Sequence, residues 1–203
     1  MAESAQALLA AFVAGVQSAS PFELAAVALG LAYIVLAIRQ HRACWIVGGL
    51  STAIYIAVFL KAGLPLQAAL QVAYVVLSVY GWFAWGAGGD TPARPQAWPL
   101  WKHGLAILAV AAATAASTPL LGKYTNSLAP FADSLGTWAS VAATWLLARR
   151  ILSTWFWWML IDSGLAMLFA SQGLVFTAGL YFAFALLAVA GWRAWKNSLA
   201  DAA

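Results

Sequence analysis

The chain has 203 residues, 65% of them hydrophobic and only 8% charged, with a formal net charge of +4. A soluble domain carries about 25% charged residues, so this composition excludes a soluble globule and puts the chain in a bilayer. A single cysteine, Cys44, excludes a disulfide framework and any Cys-rich metal site, and the basic residues sit at the ends of apolar runs, where they mark topology and not nucleic-acid contacts.

In chain order, residues 1–21 lack a positive n-region, so they read as a short lead-in helix and not as a cleaved signal. Seven apolar segments follow, at 22–38, 43–60, 64–86, 101–119, 134–148, 152–170 and 173–194. Each is near the roughly 20 residues that a spanning helix needs, with the fifth the shortest. Pro65 and Pro119 are expected at span ends, away from any mid-helix hinge. Lys and Arg in the first, third and fifth connections and the C-terminal stretch number eight: Arg39, Arg42, Arg94, Lys102, Arg149, Arg150, Arg193 and Lys196. The other side has only Lys61 and Lys123. The positive-inside bias therefore predicts an N-terminus outside and a cytoplasmic C-terminus. Trp82, Trp85, Trp98, Trp101, Trp192 and Trp195 fall near the inner interface and are expected mostly as anchors there.

The chain also repeats itself. Residues 63–85, GLPLQAALQVAYVVLSVYGWFAW, match 173–195, GLVFTAGLYFAFALLAVAGWRAW, at 11 of 23 positions without a gap. The same offset of 110 pairs Arg39 with Arg149, Trp45 with Trp155 and Phe59 with Phe169. Matching Gly, Arg and Trp at one offset is far more informative than matching Leu and Ala. Two three-helix units, 22–86 and 132–196, are thus expected, with the segment 101–119 between them acting as an inverter. The fold class is an all-α membrane protein of seven helices in a 3+1+3 parallel-repeat plan, that of SWEET transporters, whose substrates bind between repeats near the midplane.

Polar residues inside apolar spans mark the candidate site. Gln67, Gln71, Tyr74 and Ser78 follow i, i+4, i+7, i+11 on the third helix. Trp155, Trp158 and Asp162 share a face of the sixth, and Thr137, Ser140 and Thr144 form a stripe on the fifth that reads as helix glue. The second offers Trp45, Ser51, Thr52 and Tyr55, with Gly48 and Gly49 allowing close approach. Tyr181 occupies the repeat position of Gln71, and Asp162 that of Thr52. Asp162 is the one carboxylate well inside a span, at a cost of about 2.5–3.5 kcal/mol on insertion scales. It reads either as a ligand carboxylate or as a hydrogen-bonded lock between helices. Indole faces beside a carboxylate suit a flat cationic ring. Asp133 reads as a helix N-terminal residue. His41 and His103 lie at interfaces without a metal-ligand partner. No phosphate loop, HExxH pair or nucleophile–base pair is present, so neither an enzyme nor a cofactor is expected.

The patterns AYIVLAIRQHRACW, PFADSLGTWASVAATWLLARR and STWFWWMLIDSGLAMLFASQGL, with the two repeat segments, resemble the Pnu-type vitamin transporters over roughly residues 24–196. The resemblance implies uptake of a cationic B-vitamin, nicotinamide riboside or thiamine, across the bacterial inner membrane by facilitated diffusion. It also implies a homotrimer, and trapping of the vitamin by a cytoplasmic kinase. Nicotinamide riboside carriers of this family have Asn where this chain has Ser51, Ser78 and Asp162. An ionised Asp only accepts hydrogen bonds, which suits an aminopyrimidine donor and a thiazolium charge. Thiamine is therefore the expected substrate, with nicotinamide riboside or another vitamin such as riboflavin as alternatives, and a non-transporting vitamin sensor as the competing class.

Overall fold

A computed structural model describes residues 21–61, 65–86, 94–124, 129–171 and 175–200, together with Ala10 and Val13. Seven α-helices occur among these residues: α1 (Pro21–Ile38), α2 (Cys44–Lys61), α3 (Pro65–Gly86), α4 (Leu100–Tyr124), α5 (Pro130–Ala148), α6 (Thr154–Ser171) and α7 (Val175–Ala200). The expected lead-in helix, and parts of the connections at 86–95, 119–130 and 171–173, fall outside the described residues.

Local chemistry sets the helix ends. α1, α3 and α5 each open on a proline, whose missing N–H is one that the first turn leaves unpaired anyway. This is why α5 starts at Pro130, four residues before the expected boundary. α1 and α5 both close in a Schellman turn: Gln40 N–H donates to Ala37 O and His41 N–H to Leu36 O, and 110 residues on Arg150 N–H donates to Leu147 O and Ile151 N–H to Leu146 O. The residue at the left-handed position is Gln40 in one and Arg150 in the other, with φ of 56° and 55°. Pro119 lies inside α4, not at its end. There the hydroxyls of Ser117 and Thr118 donate to Ala113 O and Thr114 O at 2.8 Å each, the kind of local polar support that lets a membrane helix carry a proline.

Among the described residues, four helices are long and apolar enough to cross a membrane: Cys44–Lys61, Gln67–Gly86, Leu100–Lys123 and Ala178–Ala200. Seven such spans were expected. α5 and α6 are not among the four; α5 carries Asp133, Ser134, Thr137, Ser140 and Thr144, and α6 carries three tryptophans and Asp162. α1 is a shorter apolar helix over Leu24–Ile38. Many large apolar side chains point outward. On α3, Val72, Val76, Val79 and Phe83 are all exposed and lie opposite Gln71, Tyr74 and Ser78, an inside-out pattern suited to lipid.

Within the bundle α1 packs on α2, α2 on α3, α5 on α6 and α6 on α7; α3 meets α5, and α1 meets α7. These six helices close a ring, and α4 stands outside it, packed on α5. At one end the ring is filled by four tryptophans. Trp45 meets Trp85 edge-on at 5.4 Å, Trp85 meets Trp195 at 6.1 Å, and Trp195 meets Trp155 edge-on at 5.4 Å. Trp85 Nε1 donates to Ala148 O and Trp195 Nε1 to Ala37 O, each at 3.1 Å, so α3 is tied to α5 and α7 to α1. A Cβ on Gly81 would overlap the Trp45 indole, and one on Gly191 the Trp155 indole. The recurring G-W-x-A-W thus has a physical basis: the glycine seats an indole from the neighbouring helix, and the last tryptophan reaches across the ring. Trp85 and Trp195 are therefore core residues and not interface anchors, because their N–H groups find carbonyls inside the protein instead of headgroups. The indoles of Trp82 and Trp192, by contrast, receive Arg42 at 3.6 Å and Lys196 at 4.9 Å over their rings.

Candidate functional site

The ring encloses a cavity of about 440 Å³, lined from α1, α2, α3, α5, α6 and α7, with no contribution from α4. That volume lies within the usual range for small-molecule sites, roughly 300–1,000 Å³. Its walls come from matching positions 110 apart: 34 and 144, 37 and 147, 48 and 158, 52 and 162, 71 and 181, 74 and 184, 78 and 188. The backbone frame repeats, and the chemistry does not. Gly48 faces the cavity where the other half has Trp158, Thr52 where it has Asp162, and Gln71 where it has Tyr181.

Of the candidate site residues, Ser51, Thr52, Gln71, Tyr74, Ser78, Trp155, Trp158, Asp162 and Tyr181 line this cavity, as do Gly48, Tyr55 and Thr144, the last of which had read only as helix glue. Trp45 does not; it is 1% exposed and packed under Gly81 between Tyr33 and Trp85. Its repeat mate Trp155 belongs to both places, edge-on to Trp195 and at the cavity wall. Gln67, one turn before Gln71 near the start of α3, is not among the lining residues either. Some hydroxyls are already used by the fold. Ser51 Oγ donates to Ala26 O at 2.8 Å, Thr144 Oγ1 to Ser140 O at 2.8 Å and Thr52 Oγ1 to Gly49 O at 3.1 Å. They retain lone pairs for a ligand but not a free proton in that geometry.

Tyr33, Phe59 and Phe184 also line the cavity, and sequence reasoning passed over them. Tyr33 lies over Gly48, where a Cβ would clash with its ring, so the Gly48 already noted was the available signal for it. Tyr55 stacks on Phe59 at 5.5 Å and 20° between planes, and Tyr181 meets Phe184 edge-on at 5.9 Å. With Trp155, Trp158 and Tyr74 they form an aromatic box.

Asp162 is the one carboxyl side chain among the lining residues, which include no Lys or Arg, and is 5% exposed. No cationic side chain among the described residues offsets it. Its neighbours in the field are the phenols of Tyr74 and Tyr181, and Tyr74 is itself hydrogen-bonded to Ser140. Among the described residues no group of three His, Cys, Asp or Glu side chains could hold a metal ion. The cavity can therefore enclose a flat ring against aromatic faces, present one carboxylate to a cation, and offer an amide and hydroxyls to polar edges.

A lipid-facing helical ring around a central, mostly aromatic cavity is the build of a multi-pass membrane transporter. A family model described as nicotinamide mononucleotide transporter matches residues 20–197, and the chain belongs to that family. The riboflavin/roseoflavin transporter RibM of Streptomyces davaonensis is 29% identical over 173 residues, covering 82% of this chain and 80% of the relative. The nicotinamide riboside transporter PnuC of Escherichia coli is 23% identical over 196 residues, covering 83% and 82%. The crystal structure of the vitamin B3 transporter PnuC has the same fold, with a TM-score of 0.76 at 18% identity over 96% of this chain and 88% of that one.

Proposed function

We propose that this protein takes up a flat, cationic B-vitamin, with thiamine as the preferred substrate. The carrying observation is Asp162: a buried, uncompensated carboxylate in a cavity otherwise walled by indole, phenol and phenyl rings. A cationic ring on those faces gains cation–π attraction worth about 0.5–2 kcal/mol and supplies the charge that the carboxylate lacks. Thiamine adds an aminopyrimidine whose N–H groups need an acceptor. The chain would act as a two-unit carrier, residues 22–86 and 132–196 rocking about the cavity while α4 inverts the second unit so that both run parallel. The symmetric cavity positions and the position of α4 outside the ring support that plan. In this reading the protein lies in the bacterial inner membrane as a homotrimer, N-terminus outside, and works by facilitated diffusion with a cytoplasmic kinase trapping the product.

A second reading is riboflavin, favoured by the similarity to RibM. A neutral flavin would use the same aromatic walls and leave Asp162 as a hydrogen-bond acceptor only. Calorimetric titration of the purified protein with thiamine, nicotinamide riboside and riboflavin separates these readings. Tightest binding of thiamine supports the proposal; tight riboflavin binding with weak thiamine binding moves the assignment to the second reading.

A further inference from the structure

In the first unit, Tyr33 of α1 and Gly48 of α2 both line the cavity. At the positions 110 residues on, the sizes are exchanged: Ala143 of α5 stands for Tyr33, and Trp158 of α6 stands for Gly48. Trp158 lines the cavity, whereas Ala143 is fully buried and is not among the lining residues.

The order of helices around the ring turns this exchange into a lopsided cavity. α7 lies between α6 and α1, and α3 lies between α2 and α5. Tyr33 and Trp158 therefore flank α7, which adds the rings of Tyr181 and Phe184. The small residues Gly48 and Ala143 flank α3, which adds Gln71, Tyr74 and Ser78. Had the two units kept the same residues at these positions, one large ring would stand beside α3 and one beside α7. The exchange puts both beside α7, and the rings of Tyr55 and Phe59 stack on each other further along α2.

Gly48 is what lets Tyr33 stand there. A glycine inside a helix is disfavoured relative to alanine, so it has a packing reason. A Cβ at position 48 would lie 2.7 Å from Cδ2 and 3.2 Å from Cε2 of Tyr33, too close for the ring to stay in place. The ring also meets the Trp45 indole edge-on at 6.2 Å, and that indole is itself fixed over Gly81. A Tyr33 ring pushed off Gly48 thus has the backbone of α2 and a fixed indole against it, and the cavity is its open direction.

We infer that Tyr33, seated on Gly48, is a specificity-determining residue: with Trp158 it bounds the subsite for the flat ring on the α7 side, and its seat sets how wide a ring that subsite admits. The inference rests on the uptake of a flat vitamin proposed above. Aromatic and cationic rings gain most from a wall in direct contact with their faces. The single rings of thiamine fit a narrow subsite, and the three fused rings of a flavin need a wider one.

The test is calorimetric titration of the full-length protein with thiamine and with riboflavin, read as the ratio of the two affinities. Tyr33→Ala should weaken thiamine roughly tenfold and leave riboflavin within about threefold or tighter, moving the ratio toward riboflavin. Gly48→Ala, which drives the ring inward, should move the ratio the other way by roughly tenfold. In the Tyr33→Ala background, Gly48→Ala has no ring to displace and should change each affinity by less than about threefold. If Gly48→Ala does not fold, Tyr33→Leu, which restores part of the wall, should give a ratio between those of wild type and Tyr33→Ala. A merely structural role would weaken both ligands alike and leave the ratio unmoved. The inference is overturned by such equal weakening in Tyr33→Ala, or by a Gly48→Ala effect that is the same with and without the Tyr33 ring. The ratio is read whichever vitamin binds tighter to the wild type, so tighter riboflavin binding there refutes the thiamine assignment alone.

Discussion

Replacing Asp162 by asparagine removes the acid group that a bound vitamin cation would hold in its ionised form, while keeping the size and shape of the side chain. The carboxyl group is 5% exposed and no cationic side chain among the described residues offsets it, so in the proposed reading a bound vitamin cation would be its electrostatic partner. A unit charge about 4 Å away is worth roughly 4 kcal/mol at an effective dielectric of 20. The amide of Asn keeps one acceptor and part of that attraction through its dipole, leaving an expected loss of about 2–3 kcal/mol, or roughly 30- to 150-fold in thiamine affinity. Nicotinamide riboside should lose less, because an amide can pair with its carboxamide. Riboflavin, which is neutral, should change by less than about threefold. Calorimetric titration of wild type and Asp162→Asn with the three ligands reads all of this at once. Equal weakening of all three, or thiamine binding within about threefold of wild type, would refute the charge argument.

Trp158→Ala, which removes a cavity wall, should weaken any flat ligand by roughly tenfold in the same titration, while Trp45→Phe, outside the cavity, should leave affinity within about threefold and lower the unfolding midpoint. Gly81→Ala and Gly191→Ala force a methyl into an indole and should each cost about 1–3 kcal/mol of stability, visible in thermal unfolding; Gly164→Ala, with open space at its Cβ, should not. Trp195→Phe leaves Ala37 O without its indole donor and should lower stability by about 1–3 kcal/mol, read by the same melt.

The number and order of the helices were legible because Lys, Arg, Gly and Pro punctuate apolar runs, and the offset of 110 stood out because Gly, Arg and Trp recur at it. Nine residues of the cavity lining could be picked out because a polar or indole side chain on one face of an apolar span has few other uses. The tryptophans were harder. An indole anchored at a headgroup and an indole bonded to a carbonyl across the bundle have the same neighbours in sequence, and only the glycines at 81 and 191 distinguish Trp45 and Trp155 as seated rings. Tyr33 and Phe184 look like any aromatic residue in a membrane helix until the ring closes around them. Pro119 could not be placed because the hydroxyls that support it, on Ser117 and Thr118, are local and leave no periodic signature. Arg150 read only as a topology marker; its burial over the Trp85 ring depends on a helix far away in sequence.

The most direct test of the account is uptake of labelled thiamine into vesicles containing the reconstituted protein. The account predicts saturable accumulation up to the external concentration, abolished by excess unlabelled thiamine, competed weakly by riboflavin, and impaired by Asp162→Asn. Saturable riboflavin uptake with no thiamine uptake would contradict the substrate assignment, and binding of thiamine without time-dependent uptake would contradict the carrier itself.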